Sequence, residues 1–403
     1  MAERRGVDVL VIGSGGAGLQ AALGAAARGA RVLLATKLGL ASSNTAKAQG
    51  GIQAAVGTDD DPSQHADDVI RSSHETAEPR LVEVLTEEAP AAIERLERFG
   101  VEFTRNGNGG YRLARCGGAS RHRLLQVGDR TGLAITTALR AAVAASPLIE
   151  TLDHAPLREL QPAVAGWRAT LATRGDALDL DAGAVVLAAG GRCFAEAERL
   201  GTFSTNAAGA TGEVTEIARA AGCETRDLDA LQYHPNGGLW PTGLQGYSIP
   251  ETTRAYGALL LNGRGERFVD ELAPRDVVAA AIVRECDEGR GVLTPDGRPS
   301  VLLDCRPVDP ADAAVSLPYM LRRYRSAGID PLAEPIHTYP VLHYQNGGLV
   351  IDDEGQTTVA GIYAAGEITG GVHGRNRMMG NSLLDCAVYG WRAGSAAAAA
   401  AAG

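Results

Sequence analysis

Two histidines and two arginines carry the chemistry that this chain offers: His234 in LQYHP, Arg275 in ELAPRD, His343 in LHYQNGG and Arg377 in HGRNRMMGNSLLD. All four sit among apolar and glycine residues. Arginine stays protonated at any working pH and grips carboxylates through a planar fork, so an arginine in such a setting needs an anion, either a protein carboxylate or a ligand. Structural pairing would satisfy any one of them, because charged side chains are seldom buried alone. Taken as a set, they point to a pocket for a small dianion.

Upstream, Gly13-Ser14-Gly15-Gly16-Ala17-Gly18 fits the pattern GxGxxG after an apolar run, VDVLVI, and at the head of an alanine-rich stretch. In that setting the loop amides face a pyrophosphate at the positive end of a helix. A dinucleotide fold often closes its second strand with Asp or Glu against a ribose, whereas Thr36-Lys37 stand there. This departs from the NAD pattern and leaves room for a flavin dinucleotide, with Gly366-Glu367 offering a carboxylate at a later strand end. One such glycine motif is visible, which argues against a separate NAD(P)H domain. The stretch ASSNTAKAQGGIQAAV over 41–56 combines small hydroxyl residues with a glycine pair, a composition that lets backbone lie close to a flat ring.

Placing these residues around one pocket requires a layered scaffold. The pattern predicts a strand at 7–12, a helix at 18–29 and a strand at 31–35, which make a βαβ opening. It predicts helical spacing over 67–98, a helix over 131–145 and a buried strand over 181–189. After about 227 the texture changes to clustered Gly and Pro, and GALLLNGRGERFV reads as a hairpin turning at Asn262-Gly263. Near 340 the first texture returns, ending in a helix from about Ser382. The expected fold is α/β: a Rossmann-like FAD-binding domain built from 1–227 and 341–403, with an α+β capping domain inserted at 228–340.

Composition narrows the function classes. The 403 residues are 45% hydrophobic, enough for a sizeable core, and 51 glycines suit tight turns around a nucleotide. A formal charge of −10 argues against general binding to nucleic acid or to an anionic membrane surface. Six scattered cysteines without a CxxC suggest neither a metal site nor a disulfide framework, and a reducing cytoplasm is expected. Arg4 and Arg5 precede a core strand rather than a cleavable apolar segment. No apolar run approaches the roughly eighteen residues that span a bilayer.

The order GSGGAG, SSNTAKAQGGI, GDRTG, VVLAAGG, LQYHP, ELAPRD, LHYQNGG, AAGE and HGRNRMMGNSLLD resembles the flavoprotein subunits of succinate dehydrogenases and fumarate reductases, a family that includes L-aspartate oxidase. The resemblance covers nearly the whole chain. It implies an FAD enzyme that interconverts a C4 dicarboxylate and its alkene by hydride transfer at flavin N5. It implies that His234, His343 and Arg377 hold the substrate carboxylates, and that Arg275 delivers the proton, fed by Glu251 and Arg254 in ETTR. The implied cofactor set is Gly13, Ser14, Gly15, Ala17, Gly18, Thr36, Lys37, Asn44, Thr45, Gly50, Gly51, Glu213, Glu367, Ser382 and Leu383. An iron-sulfur or other electron-transfer subunit is an implied partner, and through it a peripheral place at the inner membrane.

Departures from the family pattern refine these expectations. Asn44 occupies the position of the histidine that bonds flavin covalently, so non-covalent FAD is expected. Cys116 stands before Gly117-Gly118 where aspartate oxidases carry a glutamate that meets the substrate ammonium; a thiol is a poor counter-ion. The family's TEG becomes Pro250-Glu251-Thr252, leaving Thr252 or Thr253 to supply a hydroxyl, since Pro250 donates no hydrogen bond. The family usually continues into a helical domain beyond the last flavin helix, on which an iron-sulfur partner partly docks, and less docking surface is expected here. L-aspartate oxidase is the alternative within the class, and a flavin-binding electron-transfer subunit without chemistry of its own is the alternative outside it.

Overall fold

The structure, a computed structural model, describes residues 5–403, so Arg4 lies outside the described residues. At its centre is a parallel sheet in the order Ile149–Leu152, Val32–Ala35, Arg5–Ile12, Ala177–Leu187 and Ile362–Ala364. Parallel strands are covered on both faces, which is why VLVI, VLLA and AVVL read as continuous apolar runs and are buried throughout. The strand Ala177–Leu187 is longer than its neighbours. Its first half also pairs antiparallel with Trp167–Ala172, which in turn pairs with Leu157–Pro162.

Two helices clamp one face of this sheet. Gly16–Ala27 packs against the C-terminal helix Asn381–Ala402 so closely that a Cβ on Gly394 would sit 2.0 Å from the Ala21 carbonyl oxygen. The alanine and glycine content of that last helix is therefore a packing requirement: small side chains let two helices meet backbone to backbone. Thr131–Ala145 forms as the spacing predicts. The segment 67–98 instead divides into Pro62–Ser72, Pro79–Glu87 and Ala89–Arg98, each with proline in its first turn. Proline fixes φ and lacks an N–H, so it starts helices more readily than it continues them.

A second, antiparallel sheet has the order Leu231–Gly238, Ile336–Gln345, Pro299–Asp304 and Leu259–Leu261. It gathers its own apolar core from Leu260, Val278, Ile282, Val301, Leu303, Met320 and Tyr324. The fold is thus an FAD-binding α/β domain with an α+β cap. The strand Ile336–Gln345 runs through the expected break at 340, and Leu231–Gly238 begins just past the one at 227. The expected hairpin at Asn262-Gly263 shrinks to one bridge, Leu261 with Arg267; Leu259–Leu261 pairs instead with Leu302–Asp304. That distant partner supplies apolar burial, which a turn of glycines and charges does not. Among the described residues no helix is long and apolar enough to cross a membrane.

Candidate active site

The turn Gly13–Gly18 is shaped by contacts that exclude side chains. Gly13 has φ +113°, and a Cβ there would lie 2.2 Å from the Ala188 carbonyl oxygen. A Cβ on Gly18 would lie 1.8 Å from the Gly13 oxygen, which is the close strand-to-helix approach expected of the third glycine. The following helix starts at Gly16 without a side-chain cap on Gly15, and the Gly16 amide donates to Thr45 Oγ1 at 3.0 Å. Ser14 Oγ donates to Thr36 Oγ1 at 3.1 Å. Lys37 Nζ donates to Thr211 Oγ1 at 2.6 Å and to Glu213 Oε1 at 2.5 Å. The carboxylate missing from the end of the second strand is thus brought in from Glu213.

From this turn a single cavity of about 630 Å³ runs to His234, Glu251, Arg275, His343 and Arg377. Thr36, Lys37, Asn44, Thr45, Gly50, Gly51, Glu213, Glu367, Ser382 and Leu383 line it along the way. Gly18 does not line it and acts through packing. Asn44 Nδ2 donates to Asn206 Oδ1 at 2.7 Å, and Asn44 Oδ1 accepts from the Ala207 amide at 2.7 Å. Burial raises the Glu367 carboxyl above its ordinary range, against the pull of the Gln345 amide, which donates to Oε1 at 3.1 Å.

At the far end, Arg275 Nε donates to Glu251 Oε2 at 2.6 Å. Arg275 Nη1 and Arg377 Nη2 both donate to Gln232 Oε1, each at 3.1 Å, so one amide oxygen bridges two like charges. Arg377 lies 4.2 Å from the centre of the Tyr344 ring, and its buried Nε finds no partner. Burial, reinforced by Arg275, draws the Arg377 guanidinium down to about 10. Burial would raise the Glu251 carboxyl, but the charges of Arg275 and Arg254 win and hold it at about 2. The buried Glu251 Oε1 is likewise without a partner.

The histidines face each other edge to face with ring centres 5.0 Å apart. His234 Nδ1 accepts from the Asn236 amide at 3.0 Å, so the neutral ring carries its proton on Nε2. Burial, with Arg275 next in weight, keeps both imidazoles well below their ordinary range. Thr205 Oγ1 meets His343 Nδ1 at 2.7 Å. The site before ligand binding therefore offers neutral imidazole donors beside two guanidiniums. A buried charge without an opposite charge is costly, so Arg377 calls for an anion.

The FAD binding domain family matches residues 8–383. This chain belongs to that family. The flavoprotein of the fumarate reductase (CoM/CoB) of Methanothermobacter marburgensis is 36% identical over 404 residues, covering 97% of this chain and 72% of its own length. L-aspartate oxidase of Streptomyces coelicolor is 38% identical over 410 residues, with shares of 98% and 68%. Among solved structures, a mutant FrdA of E. coli quinol fumarate reductase aligns with TM-score 0.90 and 28% identity, over 98% of this chain and 70% of that one. Mycobacterium smegmatis Sdh1 aligns with TM-score 0.81 and 33% identity, over 99% and 69%. The chain is an FAD-dependent oxidoreductase of this group.

The flavoprotein's glycine cradle and its continuous cavity fit FAD on their own terms. The turn leaves no room for a Cβ, the helix start lacks a side-chain cap, and the lining passes from amides to a small anion pocket. Not every expected residue reaches that pocket. Cys116 is 1% exposed, receives Gln53 Nε2 at 3.3 Å and does not line the cavity. Thr252 is fully buried with an unpartnered hydroxyl and stays behind Pro250 and Glu251, which do line it. Arg254 is also set back: its Nη2 is 3.7 Å from Glu251 Oε2, and its Nη1 donates to the Glu271 carbonyl. Three residues went unnoticed in the sequence: Gln232, Thr205 and Tyr344. For Gln232 a signal existed, because it lies two positions before His234 on one strand, where alternate residues share a face.

Proposed function

We propose that this flavoprotein interconverts fumarate and succinate, or a close C4 dicarboxylate pair. The carrying observation is Arg275: it is buried, clamped by Glu251 and Gln232, and its Nη2 has no hydrogen bond within the protein, in a cavity shared with His234, His343 and Arg377. His234, His343 and Arg377 hold the two carboxylates and polarise the double bond between them. Bound FAD supplies or accepts the hydride. Arg275 places an N–H toward the adjacent carbon, and Glu251 with Arg254 behind it returns the proton. An arginine acts as an acid only toward a strongly basic carbon held close, which is what the clamp provides.

L-aspartate oxidation is the second reading, supported by 38% identity to the Streptomyces coelicolor enzyme. An ammonium needs a free carboxylate, however, and the three that line the cavity are committed: Glu213 to Lys37, Glu251 to Arg275, and Glu367 to Gln345 and Asn44. The complete pocket also disfavours a flavin protein without chemistry of its own. FAD-loaded protein is expected to oxidise reduced viologen with fumarate and to make no peroxide from L-aspartate and oxygen; the opposite pattern overturns the assignment. A partner protein that exchanges electrons with the bound flavin fits the kinship with the Methanothermobacter marburgensis fumarate reductase.

FAD is held without a covalent bond, because the Asn44 amide cannot form one and both its polar atoms are already engaged. Acid or heat denaturation followed by centrifugation is expected to leave the yellow colour in the supernatant. Colour retained in the washed pellet, and on the protein band in a denaturing gel, would show a covalent link elsewhere.

A further inference from the structure

Residues that line the cavity and are also exposed mark where it meets water. Five do so: Ser42, Lys47, Arg130, Gly243 and Arg323. Three of the five are cations, and none of those three makes an ion pair among the described residues, whose pairs include many exposed arginines elsewhere, such as Arg31 with Asp8, Arg80 with Glu83 and Arg199 with Glu196. Unpaired positive charge gathered at one opening is out of keeping with a chain of formal charge −10.

The opening is also held in shape. Lys47 and Arg130 belong to the FAD-binding domain, whereas Arg323 lies on the cap helix Pro318–Ser326. Asp129 joins the two sides by accepting the Tyr319 amide at 2.9 Å and the Met320 amide at 2.7 Å. Those bonds occupy both oxygens of the carboxylate nearest in sequence to Arg130. The Arg130 guanidinium lies 4.6 Å from the centre of the Tyr319 ring and Arg323 lies 5.6 Å from that of Tyr247. Tyr247 is fixed in turn by donating to Gln49 Oε1 at 2.8 Å, and Lys47 Nζ donates to the Asn206 carbonyl at 3.0 Å. Each cation is steered by a ring or a carbonyl and keeps its charge free.

We propose that Lys47, Arg130 and Arg323 form a cationic port that draws a small dianion from bulk water into the cavity. The inference rests on the dicarboxylate reading above. A dianion approaching an acidic protein is repelled at long range, and a local positive opening reverses that field where it matters. Charge lining a low-dielectric cleft focuses the field and raises association rates by about 10–10³-fold. Such steering is screened over roughly 8 Å at physiological salt, so it declines as salt rises.

The test is the association rate of malonate, a non-reactive dianion, followed by stopped-flow through the visible spectrum of the bound flavin. In the unaltered holoenzyme the rate should fall about tenfold from low to high salt. With Lys47→Gln, Arg130→Gln and Arg323→Gln combined, the low-salt rate should drop by a similar factor and lose its salt dependence, with FAD content and the dissociation rate unchanged. If the triple variant fails to fold, the single Arg130→Gln and Arg323→Gln variants should each flatten the salt response in part. Variants that keep the original rate and salt slope overturn the port. Malonate capture that depends on the port, without any turnover of fumarate, would retain the port and sink the fumarate reading. A flavin spectrum indifferent to malonate at every salt would sink both.

Discussion

Replacing Arg275 by Gln is expected to lower kcat by about 10²–10⁴-fold, the usual worth of a positioned acid, in protein that still carries FAD. The guanidinium spends Nε on Glu251 at 2.6 Å and Nη1 on Gln232 at 3.1 Å, so its remaining N–H groups are aimed by two rigid contacts. Glutamine can neither reach both partners nor donate from the same place. The substitution also strips Glu251 of its nearest positive charge, leaving only Arg254 at 3.7 Å. Arg275→Lys separates the two effects. A lysine keeps the charge beside Glu251 but lacks the planar fork, so it should melt nearer the unaltered protein than Arg275→Gln and remain inactive. Steady-state rates with fumarate and reduced viologen, read beside the flavin spectrum, check this. Turnover at the original rate in either variant removes the acid role.

Glu251→Gln is expected to cost about 3–5 kcal/mol of stability, the usual result of deleting one partner of a buried ion pair. Both Arg275 and Arg254 lose their carboxylate, and the buried Arg254 keeps only the Glu271 carbonyl as a hydrogen-bond acceptor. The pH dependence follows from the sign of the shift. Glu251 is held at about 2 in the folded protein against an ordinary value of 4.5. Its contribution is therefore complete above about pH 4.5 and lost as pH falls toward 2. Denaturation profiles should show a shallower acid limb in the glutamine variant than in the original protein. Equal acid limbs would mean that the carboxylate is not depressed by these arginines.

Much of the site was legible because its residues are chemically unusual in their surroundings. An arginine or histidine inside an apolar, glycine-rich run stands out, and the four such positions here converge on one cavity. Gln232 did not stand out, since a neutral amide in a strand is unremarkable until its oxygen is seen between two guanidiniums. Thr205 is similar: its hydroxyl matters because the chain brings it to His343, 138 positions away. Cys116 and Thr252 illustrate the reverse. Each sits in a motif that touches the pocket, yet each side chain points into packed protein, and motif membership does not determine a rotamer.

The fold divides in the same way. The strand Arg5–Ile12, the glycine turn and the helix after it follow from local pattern, because a parallel core strand must be apolar throughout and a loop pressed against Ala188 must lack side chains. The pairing of Leu259–Leu261 with the distant strand Pro299–Asp304 was not written locally. Nor were the meeting of Glu213 with Lys37 and the gathering of Lys47, Arg130 and Arg323 at one opening. By itself the sequence determined which groups could bind an anion and where a nucleotide turn must form, because those depend on residue chemistry and on neighbours in the chain. Which of those groups share a cavity, which are turned away and which charges are left unpaired was decided only by tertiary packing, because each depends on distances between residues that the chain does not join.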